Sequence, residues 1–309
     1  MHYPLAPLSL LYAALMRVRN ASYDRGVFAA HRAGRPVISV GNVTTGGTGK
    51  TPLVEWVARA MARRGFFPCV LTRGYGRTTS GRVVVSDGAN ILADAARGGD
   101  EPQLLAQNLR GIAAVVADAD RVAAARWATE NLRAQVFVLD DGFQHRRLHR
   151  DLDIVVIDAT DPWSNCRVLP AGRLREPLTA LKRADALILT RTEQSARVTE
   201  ISAQLSSLTD RPIIHARTRA LGLRPLSSSF QDAREDASTS PGAYVAFCAL
   251  GNPRAFYQSL IDGGCALAAR KTYPDHHRYT QSDVDELSAL AHRSGATALI
   301  TTQKDAVKL

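Results

Sequence analysis

The sequence predicts an α/β fold: a P-loop NTPase-like, mostly parallel sheet with helices on both faces, plus a second, smaller α/β domain. Three observations carry this. First, the apolar run Pro36-Val37-Ile38-Ser39-Val40 leads into a glycine-rich loop. A stretch follows in which Leu53, Val54, Val57, Ala58 and Met61 recur at helical spacing. Strand, glycine loop and helix is the context that a phosphate-binding loop requires. Second, Val136-Phe137-Val138-Leu139 is an apolar run that ends in Asp140-Asp141-Gly142-Phe143. Third, further short strand-like runs (Pro68–Leu71, Ile154–Asp158, Ala186–Thr190) alternate with helical stretches, the pattern of a parallel sheet covered on both sides.

The chain has 309 residues, enough for two domains with real cores. Hydrophobic residues make up 45% and charged residues 22%, a globular balance that excludes disordered and fibrous classes. No apolar run reaches the roughly 18 residues of a spanning helix. Cys69, Cys166, Cys248 and Cys265 lie far apart with no C-x-x-C pair. This argues against a disulfide scaffold or a cysteine-rich zinc site and fits a reducing compartment. The net charge is +10, with 34 Arg against 5 Lys. An arginine-heavy surface suits phosphate, nucleic acid or an anionic membrane, although codon bias toward arginine gives the same composition.

Met1–Met16 carries no acidic or strongly basic side chain, and Arg17, Arg19, Arg25, Arg32 and Arg35 follow it. A signal peptide has its positive charge before the apolar run, so this stretch is not one. Leu8, Leu11, Tyr12, Leu15 and Val18 share one helical face. Two readings are open: an interfacial helix on an anionic leaflet, or a helix that packs on its own domain.

In the loop Gly41-Asn42-Val43-Thr44-Thr45-Gly46-Gly47-Thr48-Gly49-Lys50-Thr51, backbone N–H groups from Thr45 to Thr51 would wrap a phosphate, helped by the helix dipole. Lys50 would reach the β- and γ-phosphates, and Thr51 would hold Mg²⁺. Thr44 stands where the usual G-x-x-x-x-G-K-S/T pattern has its first glycine. Partition-type ATPases also read G-G-x-G-K-T but carry a lysine just before the two glycines, where this chain has Thr45. Asp140 and Asp141 end a buried strand, the Walker B arrangement beside Mg²⁺; a capped turn is the alternative. Leu71-Thr72-Arg73-Gly74-Tyr75-Gly76-Arg77 is a basic loop in which Arg73 could meet a phosphate or a sugar. Asp100, before Glu101-Pro102, is either an N-cap or first-turn acid or a general base for an acceptor hydroxyl.

The expected organisation is an interfacial N-terminal helix (1–25), a P-loop kinase domain (26–215), a polar connection (216–240) and a smaller α/β domain (241–309). In the last, Ala243–Phe247 and Ala298–Thr301 read as strands.

Taken together, the motifs resemble one family along nearly the whole chain, the tetraacyldisaccharide 4'-kinases of lipid A biosynthesis in Gram-negative bacteria. They are V-G-N-V-T-T-G-G-T-G-K-T-P, L-T-R-G-Y-G-R, G-D-E-P, D-D-G-F-Q-H-R-R-L-x-R-D-L-D-I-V-V-I-D, L-P-A-G-R-L-R-E-P, D-H-H-x-Y and T-x-K-D-A-V-K. D-D-G-F-Q-H and L-P-A-G-x-L-R-E-P are far more specific than the P-loop, and the Thr44 variant resembles the family's own loop. The resemblance implies transfer of the ATP γ-phosphoryl group to the 4'-hydroxyl of an acylated glucosamine disaccharide 1-phosphate. It implies ATP and Mg²⁺ as cofactors and a peripheral place on the cytoplasmic face of the inner membrane, against anionic lipids. It further implies that Asp100 is the base, supported by His276 or His277 of the D-H-H motif, with Lys50 assisting. Arg173, and second Arg121, become candidates for the lipid's 1-phosphate.

If the D-H-H motif and the nucleotide loop serve one site, it lies between the two domains. The chain stops at Leu309, directly after Lys304–Lys308, where the family continues: either the natural protein is longer or this copy is shortened, which leaves the completeness of the last domain open. A monomer without a nucleic-acid partner is expected as well. Two other classes compete: a soluble P-loop ATPase that binds nucleic acid, although no aromatic-interleaved basic groove is evident, and a nucleotide-binding regulator that tolerates loss of Asp100.

Overall fold

The computed structural model describes residues 5–218, 222–223, 225–226 and 242–309. Most of the expected 216–240 connection lies outside the described residues.

Helix α1 (Ala6–Asp24) leads to β1 (Val37–Gly41), the phosphate loop and α2 (Lys50–Arg63). There follow β2 (Pro68–Thr72), β3 (Val83–Ser86), α3 (Ala95–Gly98), α4 (Asp100–Asn108), β4 (Ala114–Ala117), α5 (Arg121–Asn131), β5 (Val136–Asp140) and β6 (Leu152–Asp158). Then come β7 (Ala186–Thr190), α6 (Val198–Leu208) and β8 (Ile213–His215). Among the described residues these eight strands form one sheet in the order β3-β4-β2-β5-β1-β6-β7-β8. Its pairings are parallel except for β3 against β4. Val54, Val57 and Leu105 bury one face against Val138, Val156 and Ile188. Val122, Ala125 and Ala128 cover Phe137 and Leu139 on the other. The alternation follows from the period of two along each strand.

The second unit has β9 (Ala243–Cys248), α7 (Pro253–Asp262), β10 (Ala266–Thr272), α8 (Gln281–Arg293), β11 (Ala298–Ile300) and α9 (Gln303–Ala306). Its parallel sheet runs β10-β9-β11. Tyr257 and Leu260 pack on one face and Leu287 on the other.

This topology positions the site. β1 and β5 are neighbours, with Val40 opposite Asp140. The phosphate loop and the paired acids therefore leave the sheet at the same carboxyl edge, where ligands of open α/β sheets bind. Two glycines allow the approach: a Cβ at Gly41 would lie 2.5 Å from the Phe143 backbone nitrogen, and one at Gly142 2.5 Å from Ser39 Oγ.

The N-terminal helix packs on its own domain and keeps an apolar face exposed. One side packs on protein: Ser9 donates to the Val168 carbonyl, Tyr12 to the Arg175 carbonyl, and Asn20 to Glu176. Leu8, Leu11, Leu15 and Val18 remain exposed. Tyr12 thus leaves the face that its spacing assigned to it, because its hydroxyl finds a carbonyl partner. Among the described residues no helix is long and apolar enough to cross a membrane.

Candidate active site

Gly49 has φ +82° and precedes α2, whose N-terminus carries no side-chain cap. Its first amides are left to bind an anion. Gly46, at φ +105°, takes a conformation that side chains disfavour. Thr44 is buried and makes an antiparallel bridge with Leu174. That position is strand-like, which explains why a threonine serves where other loops have glycine. Thr48 is held by Thr190 Oγ1, which donates to its carbonyl at 2.8 Å, and by Asn42 Nδ2, which donates to its hydroxyl.

Lys50 Nζ lies 3.5 Å from Asp141 Oδ1, and Arg175 donates to Asp141 Oδ2 at 2.6 Å. Burial opposes the Asp141 charge, but Lys50 and Arg175 outweigh it and hold the carboxyl below its ordinary value. Asp140 is different. It accepts from Thr72 Oγ1 at 3.1 Å, yet burial, then the Glu101 and Asp141 charges, push its carboxyl up to about 7. Asp141 Oδ1 is buried without a hydrogen-bond donor. Asp140, short of countercharge, beside Asp141, whose Oδ1 accepts no hydrogen bond, offers carboxylate oxygens that fit a hard divalent cation. Among the described residues no group of three or more His, Cys, Asp and Glu forms a metal cage by itself. Phosphate oxygens would complete such a shell, as in Mg²⁺–nucleotide sites.

Asp100 is the first residue of α4, behind Gly99, and its side chain caps no amide. Its Oδ2 lies 3.5 Å from His276 Nδ1. This separates the two histidines, since His277 Nε2 pairs with Asp283 at 3.1 Å and stacks on Tyr273. His276 has φ +61°, a left-handed conformation that costs a non-glycine residue energy and clusters at functional sites. The Tyr75 ring lies 5.2 Å from it, and Arg278 donates to the Gly76 carbonyl. The loop of Arg73–Arg77 thus meets the D-H-H loop.

The arginines separate. Buried Arg121 lies in the field of Asp140, Arg73, Asp141 and Asp118; burial and the Arg73 charge hold its pKa down. Arg173 lies against the phosphate loop instead. Its Nε and Nη2 donate to the Thr45 carbonyl, and its Nη1 pairs with Asp161 at 2.7 Å. A Cβ at Gly46 would collide with this guanidinium.

Several groups here escaped the sequence reading. Lys304 pairs with Glu101 at 3.0 Å and Asp275 at 3.6 Å. Burial opposes its charge, but the two acids raise its pKa. It thereby ties the residue after Asp100 to the residue before His276. The scarcity of lysine was the available signal: two of the 5 lysines sit at this site. Asp158 gathers Arg191 and Asn252, and a Cβ at Gly251 would approach the Gly47 nitrogen at 2.7 Å. The second unit therefore lies directly on the phosphate loop.

The family profile for tetraacyldisaccharide-1-P 4'-kinase matches residues 1–309. The chain belongs to this family. A tetraacyldisaccharide 4'-kinase of Geobacter metallireducens is 43% identical over 306 residues, 99% of this chain and 88% of that protein. The Desulfotalea psychrophila relative is 39% identical over 98% of this chain and 86% of its own length. The crystal structure of an Aquifex aeolicus LpxK in complex with ATP superposes with a TM-score of 0.77 at 35% identity, covering 99% of this chain and 89% of that one. The tetraacyldisaccharide-1-P 4'-kinase family thus accounts for both units.

Proposed function

We propose that Asp100, oriented by His276, takes the proton from the 4'-hydroxyl of a tetraacyldisaccharide 1-phosphate as that oxygen attacks the γ-phosphorus of ATP. The enzyme is an ATP-dependent kinase of lipid A biosynthesis, as its family membership implies. The O–H bond breaks, the O–Pγ bond forms, the bond from Pγ to the β,γ-bridging oxygen breaks, and ADP leaves. The single observation that carries the residue assignment is the Asp100–His276 contact at 3.5 Å. It joins a carboxylate free of capping duty to an imidazole from the other unit, beside the phosphate loop. A sugar hydroxyl is a weak nucleophile, and a carboxylate within reach accepts its proton as transfer proceeds.

Lys50 and the open amides of α2 hold the β- and γ-phosphates. Thr51, Asp140 and Asp141 would hold Mg²⁺, which when bound offsets charge on the transferred group. Arg121 faces the same acids, with Arg73 close to it, and these are the cations best set to meet the γ-phosphoryl group or the acceptor's phosphate. Arg173 could serve the 1-phosphate by exchanging Asp161 for it. We read residues 26–215 as the nucleotide-binding part and 241–309 as the part that brings His276, acting as a monomer. The exposed apolar face of α1, with Arg17 and Arg25 nearby, supports peripheral attachment to an anionic membrane on its cytoplasmic side. Nothing in this assignment calls for nucleic acid.

The test is label transfer from γ-labelled ATP to the tetraacyl disaccharide 1-phosphate in detergent with Mg²⁺, read by thin-layer chromatography. Labelled lipid is expected, and it should vanish in Lys50→Ala and Asp100→Ala but persist in His277→Ala. Full transfer by Asp100→Ala would refute the assignment of the base.

A further inference from the structure

Of the two lysines at the site, Lys50 serves the phosphates, and Lys304 has no task in the mechanism above. Lys304 stands in the T-x-K-D-A-V-K motif, on α9, directly after β11. Its neighbour Asp305 anchors that helix to the smaller sheet. The Asp305 carboxylate is buried and accepts from the Ala249 amide at 3.1 Å and the Thr302 hydroxyl at 2.7 Å. Lys304 reaches the other way, to α4 of the larger unit.

Gln303 and Lys304 grip α4 near its two ends. Gln303 exchanges two hydrogen bonds with Asn108, donating at 2.5 Å and accepting at 3.1 Å. Lys304 Nζ donates to Glu101 Oε1 at 3.0 Å and lies 3.6 Å from Asp275 Oδ1. That Asp275 oxygen also accepts from the His276 amide at 3.1 Å. His276 holds its left-handed backbone at φ +61°, a conformation that persists only where the surroundings enforce it. One ammonium group therefore restrains a chain neighbour of each member of the Asp100–His276 pair. The Lys304 side chain is only 16% exposed, so its bridge is shielded from the solvent that weakens surface ion pairs. Burial opposes the Glu101 charge, but Lys304, and after it Lys50, keep that carboxyl below its ordinary value.

We propose that Lys304 is a positioning residue for phosphoryl transfer, fixing the separation of Asp100 and His276 by bridging Glu101 to Asp275. The inference rests on the kinase reading above and extends it to what holds the two units in register. Lys304 acts through the chain neighbours of the pair and touches no reacting atom. A misplacement of about 1 Å costs up to roughly a hundredfold in rate, and a site built from two units is open to such a shift.

The experiment measures kcat and KM for ATP by label transfer, with each variant normalised to its ATP-binding stoichiometry. Lys304→Met keeps the length of the side chain and removes its charge. Its kcat should fall roughly tenfold to a hundredfold, with KM for ATP changed less than about threefold. Lys304→Arg keeps the charge and should recover most of the loss. Gln303→Ala loosens the same docking contact without touching either neighbour of the pair, and should stay within about twofold of wild type. The decisive readout is the cycle with His276→Ala. Lys304→Met should slow His276→Ala by less than about threefold, because the alignment it serves is already lost. A merely structural role would make the two losses multiply in full, and that result overturns the proposal. So does a Lys304→Met kcat within about twofold of wild type, or an equal loss in Gln303→Ala, which would assign the effect to docking of α9 alone. If Lys304→Met does not fold, Asp275→Asn carries the test. It weakens one arm of the bridge and should lower kcat about threefold to tenfold, again without multiplying the His276→Ala loss; an unchanged kcat overturns the proposal. Absence of transfer by wild type overturns the kinase reading and this proposal with it; transfer without the variant effects overturns the proposal alone.

Discussion

At the residue scale the site is a set of acids sorted by their neighbours. Asp141 has Lys50 and Arg175 and stays charged, whereas Asp140 has burial and two other carboxylates around it. The sign of its effect on stability follows. A carboxyl raised to about 7 keeps its proton in the folded protein while the unfolded chain loses it near pH 4, so it costs stability as pH rises from about 4 to about 7 and the full cost is present above that. Asp140→Asn should therefore raise Tm of the nucleotide-free, Mg²⁺-free protein at pH 8, by about 3 °C or more, and by less at pH 5, while abolishing transfer. Calorimetry at both pH values checks this; equal shifts would contradict it. The phosphate loop and the D-D pair were legible because glycine, lysine and paired acids have few other uses in that pattern. The choice between His276 and His277 was not, since neighbouring histidines differ only in backbone conformation and partners. Lys304 was hidden because its partners, Glu101 and Asp275, are far from it in sequence.

At the element scale the central strands of the larger sheet, and β9 and β11 of the smaller, were legible, while β3, β4, β8 and β10 were not. β1, β5, β6 and β7 are continuous apolar runs, the mark of burial on both faces. β4 is an alanine-valine run that reads equally as helix. β10 lies at an edge of its sheet, and Arg270 and Lys271 interrupt its pattern. Helix α1 illustrates a different limit, since hydrophobic spacing finds the helix without saying which apolar side packs. Its docking rests on Glu176, which is fully buried, takes two contacts from Arg183 and accepts from Asn20 and Gln144. Burial opposes the Glu176 charge, but Arg183 and the hydrogen bonds hold its pKa below the ordinary value. This stabilisation is present above the usual glutamate range and is lost as pH falls through the lowered value. Glu176→Ala strands Arg183 and should cost about 3 kcal/mol or more by urea denaturation at pH 7. A loss below about 1 kcal/mol would mean that the pair behaves as a surface ion pair.

At the scale of the whole molecule, two sheets meet at one site. The larger carries the phosphate loop and acids at its carboxyl edge. The smaller contributes His276, Lys304 and the Gly251–Asn252 turn that rests on the loop. The division into two α/β units was readable from the order of runs, but the contacts between them were not, because they join residues 65 to 203 positions apart. The outer side of α1 gives the molecule an exposed apolar surface, the one the proposed membrane attachment would use. Leu8, Leu11 and Leu15 are 53%, 59% and 57% exposed. Changing all three to Asn should reduce flotation with vesicles of anionic phospholipid about tenfold or more while keeping the fold, since none of them packs inward. Deleting the helix is the poorer test, because Tyr12 and Asn20 hold it to the site. Retained flotation would place the membrane contact elsewhere.

The claim on which the rest depends is that Asp100 and His276, one from each unit, work as a pair. A double-mutant cycle on kcat measures it most directly, with Asp100→Asn, His276→Ala and both together. Asp100→Asn should lower kcat by roughly 10²–10⁴, and His276→Ala by less. The double variant should be no slower than Asp100→Asn alone to within about threefold, since groups that act as a unit are not additive. Losses that multiply in full would show two independent roles and contradict the pairing.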